Sequence, residues 1–69
     1  MVEVFKSNVD ELEVASTLIE KLHAHFPQSR VNFDLSDCDK ILRVEAEVIY
    51  CDKIIELVKS SGYQLEVLQ

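Results

Sequence analysis

Two stretches of this chain place apolar residues every three or four positions, and each is flanked by stretches in which they alternate. An apolar side chain every second residue suits one face of a strand, and a three-to-four step suits one stripe of a helix, so the changes of period outline the elements. In "VEVFK", Val2 and Val4 alternate with Glu3 and Phe5, which predicts a short first strand. In "VDELEVASTLIEKLHAHFP", Leu12, Ala15, Ile19, Leu22 and Phe26 share one face, with Leu18 widening the stripe, so a helix follows. Asp10 as N-cap with Glu13 resembles a capping box, and Val9 and Val14 stand where a hydrophobic staple packs. Pro27 closes the helix, because the residue before a proline disfavours helical geometry.

Alternation returns in "RVNFDL", where Val31, Phe33 and Leu35 oppose Arg30, Asn32 and Asp34. After the polar turn "SDCDK", the run "ILRVEAEVI" alternates Leu42, Val44, Ala46 and Val48 against Arg43, Glu45 and Glu47, which completes a hairpin. "CDKIIELVKSSG" reads as a second helix, with Asp52 as N-cap, Ile54, Ile55 and Val58 inward, and Gly62 where left-handed geometry favours glycine. "YQLEVL" is the last strand. The order βαββαβ with right-handed crossovers predicts an α+β, ferredoxin-like sandwich: an antiparallel four-stranded sheet in the order 4-1-3-2 with two helices on one face.

Size and charge narrow the function classes. Sixty-nine residues, 1–69, make one domain near the lower limit for independent folding. Thirteen acids against seven bases give a net charge of -6, which repels phosphate backbones and anionic lipid and favours basic partners or cations. No nucleic-acid or membrane partner is expected. The start "MVEVFKSNVD" lacks an apolar core of signal-peptide length, so the chain reads as cytoplasmic.

The tetrapeptide Cys-Asp-Lys-Ile occurs twice and holds both cysteines, Cys38 and Cys51. With Cys38 before the third strand and Cys51 after its end, on the order of 30 Å of extended chain separates them. A disulfide needs Cα atoms within about 7 Å, so the expectation is two unrelated, reduced thiols. Catalysis lacks a constellation: Ser16, Ser60 and Ser61 have no base and orienting acid, and the sole glycine, Gly62, leaves no phosphate-cradling loop. His23 and His25 lie about 200° apart around the first helix and cannot share a metal within one chain. The chain reads as a non-enzyme.

The strand order, the helix "KIIELVKSSGY" and the strand "QLEVL" resemble the heavy-metal-associated domain, the βαββαβ module of copper chaperones and metal-transporting ATPases. The resemblance spans nearly the whole chain, and its most specific element is Gly62-Tyr63, similar to that family's Gly-aromatic step before the last strand. The family binds soft metals through a Met-x-Cys-x-x-Cys stretch between the first strand and first helix. Here that loop reads "FKSNVDEL", and the two cysteine positions fall near Asn8 and Glu11, so the resemblance carries over no ligand and no cofactor.

The loop after the first strand, the hairpin turn and the step into the last strand emerge at one end of such a sheet. That end gathers Ser7, Asn8, Asp10, Glu11, Asp37, Cys38, Asp39 and Tyr63 as a candidate partner or ligand site. The leading expectation is a module that lacks the cysteine pair and works through protein contacts or self-association. The alternative is a divergent metal carrier or sensor using Cys38 and nearby carboxylates, and a ligand-binding regulatory domain ranks below both. The uncovered sheet face is expected to show Glu3, Phe5, Asn32, Asp34, Arg43, Glu45, Glu47, Gln64, Glu66 and Leu68, too acidic for RNA, with Phe5 and Leu68 as a minor apolar patch.

Overall fold

The computed structural model describes residues 1–36 and 40–68. Its elements are β1 (Val2–Ser7), α1 (Leu12–His25), β2 (Arg30–Asp34), β3 (Ile41–Glu45), α2 (Cys51–Ser60) and β4 (Leu65–Val67). The strands form one antiparallel sheet in the order β2-β3-β1-β4, which is the expected 4-1-3-2 order read from its other edge.

Register explains why β1 lies at the centre. Phe5 faces Leu42 on β3 and Val67 on β4, and Leu42 in turn faces Phe33 on β2. Directly opposed residues share a face, so Phe33, Leu42, Phe5 and Val67 form one apolar row across the sheet. The helices cover this face. α1 supplies Ala15, Leu18 and Leu22, α2 supplies Ile54 and Val58, and all five are buried with Phe5, Leu42 and Val44 in one core. Across the helix pair, Lys21 Nζ donates to Ser60 Oγ and Ser61 Oγ, each at 2.9 Å.

The helix ends follow local chemistry, with corrections. α1 stops at His25, and Phe26, held out of helical geometry by Pro27, has φ -131° and ψ 72°. At its start the N-cap is Glu11 rather than Asp10, and no side chain caps it. Leu12 opens the helix at 76% exposure rather than joining the buried stripe, while Val9 fills the core at this end. α2 begins at Cys51 with Tyr50 as its N-cap, two residues earlier than Asp52 would set it. Its exit closes as a Schellman motif: Gly62 takes φ 92°, its N–H donates to the Lys59 carbonyl (2.9 Å), and the Tyr63 N–H donates to the Val58 carbonyl (3.3 Å).

β3 ends at Glu45, short of the alternation that continues to Val48. The ladder gains one further exchange, in which the Met1 ammonium donates to the Ala46 carbonyl (2.8 Å) and the Ala46 N–H donates to the Met1 carbonyl (3.0 Å). Beyond it the chain bends toward α2, and Val48 turns outward.

Candidate functional site

The end where β1 finishes and β3 and β4 begin holds most of the residues singled out in the sequence. Ser7 is buried there; its hydroxyl donates to the Lys40 carbonyl (2.6 Å) and accepts from the Val9 N–H (3.2 Å). The Asn8 side chain accepts from the Gln64 N–H (2.8 Å), which joins the loop after β1 to the approach to β4. Tyr63 is half-buried against the core, and Asp10 and Glu11 are exposed. Three chain segments therefore meet at this end as expected, but Ser7 and Asn8 spend their polar groups fastening those segments together. A shallow open groove of about 390 Å³ beside β4 is lined by Lys6, Asn8, Lys59 and Gln64.

Asp37, Cys38 and Asp39 lie outside the described residues. Among the described residues, no group of three His, Cys, Asp or Glu side chains could hold a metal ion. His23 and His25 are both exposed, and His25 Nδ1 lies 3.0 Å from the Lys21 carbonyl, an arrangement in which the ring N–H donates to that oxygen. No described helix is long and apolar enough to cross a membrane.

The uncovered face of the sheet differs from the sequence expectation. Phe5 is fully buried on the helix side, and Glu3, two residues away, shares that side. Val2, Val4 and Lys6 face outward instead. Lys6, Arg30 and Arg43 stand among Asp34, Glu45 and Glu66, so this face is close to charge-balanced rather than acidic. Its apolar residues are Val2, Val4, Ile41 and Leu68, the last donating its N–H to the Val4 carbonyl (2.9 Å), and no aromatic ring lies on it among the described residues.

The opposite end holds what the sequence reading missed. There β1 and α2 start, and α1 and β3 finish. Met1 is 72% exposed, Val48 60% and Tyr50 56%, and Val2 beside them 45%. The Tyr50 ring stacks on Phe26 at a centroid distance of 6.4 Å and an interplanar angle of 22°, and His25 tilts against Phe26 at 46°. Two open grooves, of about 460 and 440 Å³, adjoin this cluster, and both are lined by His25 and Phe26. Isolated surface hydrophobes are ordinary, whereas a gathered set with stacked rings is the mark of a contact surface. The detectable sequence signal was the run "VIY", three apolar residues in a row just where the strand pattern broke down.

Cys51 also sits at this end as a free, half-buried thiol at the first position of α2. A helix N-terminus normally favours a thiolate. Here burial, then the Glu3 and Asp52 carboxylates, push the Cys51 thiol up. The inward-facing Glu3 carboxylate therefore disfavours ionisation of the thiol.

Comparisons with family models, with curated proteins and with solved structures give no match to this chain.

Proposed function

We propose that this chain is a non-enzymatic, ferredoxin-like module akin to heavy-metal-associated domains but without their cysteine pair, and that it works by protein contact. The contact surface is the end where Phe26, Val48 and Tyr50 gather, not the end that resembles the family's metal loop. One observation carries this reading: Tyr50, 56% exposed, stacks on Phe26, and Val48, 60% exposed, lines a groove with the same ring, while Met1, 72% exposed, is bonded to nearby Ala46. A small chain gains nothing in stability from apolar surface left in water, and a partner would recover about 25 cal/mol for each Å² it covered. The opposite end supports the same choice, since Ser7 and Asn8 direct their hydrogen bonds inward.

Site-specific photocrosslinking tests it. With Tyr50→p-benzoylphenylalanine in cells, irradiation should yield a discrete adduct, whether with a second copy or with another protein. The same photoreactive residue at Glu20, exposed along α1, should yield none. Equal adducts from both positions, or none from position 50, would refute the assignment.

A further inference from the structure

Resting on that reading, we infer that the occupant of this end is a basic segment of another protein that inserts a bulky apolar side chain beside Phe26, rather than a second copy of this chain. The shape comes first. One groove runs between the end of α1 and the α2 row Lys53, Glu56, Leu57 and Ser60, whose three- and four-residue steps place them on one helical face. The other continues past Phe26 to Pro27, Glu47 and Val48. Because His25 and Phe26 line both, the Phe26 ring borders both parts of this trough. An open trough with an apolar floor suits side chains of a polypeptide better than a small molecule, which needs an enclosing cleft.

Charge selects the kind of polypeptide. Glu47 and Glu56 line the trough, and Asp52 lies beside Tyr50 at the start of α2. Lys53 is the cation among the lining residues, and the Met1 ammonium, held by the neutral Ala46 carbonyl, lines neither groove. A second copy would bring these carboxylates against their own equivalents on two chains of net charge -6 each. Like charges set against one another cost several kcal/mol, whereas a basic partner turns the same groups into attraction and faster encounter.

The test is an amide-shift titration of the isotope-labelled protein with three synthetic 14-residue peptides: amphipathic Lys/Leu, its Glu/Leu counterpart, and Lys/Ser of equal positive charge. The Lys/Leu peptide should shift residues 25–28 and 46–60 and weaken with added salt. Val48→Ser with Tyr50→Ser should weaken it about tenfold, as should Glu47→Lys with Glu56→Lys, a loss of about 1.4 kcal/mol in each case. Leu12→Ser, at the far end, should leave it unchanged. No binding by the Lys/Leu peptide, equal binding by either of the others, or shifts spread to Asp10, Glu11 and Glu13 would overturn the inference. If residues 25–28 and 46–60 instead shift as the protein alone is concentrated, the occupant is a second copy, and the contact reading stands while this one falls. If position 50 yields no adduct in cells, the contact reading itself fails.

Discussion

Replacing Phe5 by alanine gives the sharpest test of which way the central strand faces. Phe5 is fully buried, lies between Leu42 and Val67 in the sheet and packs under both helices. Emptying such a site costs about 3–5 kcal/mol, the lost transfer energy plus the cavity left behind. A 69-residue domain at roughly 0.05–0.15 kcal/mol per residue has only about 3–10 kcal/mol in total. Phe5→Ala should therefore sit near the edge of unfolding, with Tm lowered by at least about 12 °C at about 4–8 °C per kcal/mol. Val4→Ala removes two half-buried methyl groups from the other face and should cost about 1 kcal/mol or less. Thermal and urea melts followed by far-ultraviolet circular dichroism compare the two variants directly. A Val4→Ala loss equal to or above that of Phe5→Ala would invert the faces and refute the core described above.

Ser7→Ala leaves the Lys40 carbonyl and the Val9 N–H without their buried partner and should cost about 1–3 kcal/mol in a urea melt, whereas the exposed Asn8→Ala should cost less. Gly62→Ala meets no atom within 4 Å, so its cost, about 1 kcal/mol by the same melt, should come from φ 92° and not from collision. In a Cys38→Ser background, Cys51 should react with a thiol reagent at pH 8 more slowly than a free cysteine, and Glu3→Gln should speed it by lowering the thiol's pKa. The same shift has a sign for stability: the folded state holds this proton more tightly, so its contribution is present below the unfolded thiol value of about 8.5 and lost as pH rises past it. Melts at pH 7 and 9.5 should show the decline in the wild type and less of it in Cys51→Ser.

The element order and sheet topology were legible because periodicity is a property of neighbouring residues. The stop at Pro27 and the left-handed exit at Gly62 were legible for the same reason, each being set by the backbone of a single residue. The facing of β1 was not. Its sequence "VEVFKS" permits either parity, with Val2 and Val4 on one side and Phe5 on the other. The larger phenylalanine takes the covered side, since it removes more apolar area from water than the valines; strand alternation carries Glu3 and Ser7 to the same side, where Ser7 finds hydrogen-bond partners. Leu12 misled for a related reason: the stripe it seemed to extend runs through Ala15, Leu18 and Leu22, and Val9 already fills the core at that end.

The candidate site divides in the same way. Convergence of the loop after β1 with the approaches to β3 and β4 follows from the order of elements, so Asn8 and Tyr63 were expected at one end, whereas the bond from the Gln64 N–H to Asn8 was not foreseen. Whether their polar groups point outward or stitch the fold together depends on contacts across the sheet. The apolar end is more remote still from any local pattern, because Met1, Phe26 and the pair Val48 and Tyr50 come from three separate stretches of chain. Local spacing specifies helices, strands and their succession; two faces of one sheet, however, compete for the cover of only two helices. That competition depends on volume and area summed over the whole molecule, so it is settled only when the elements pack.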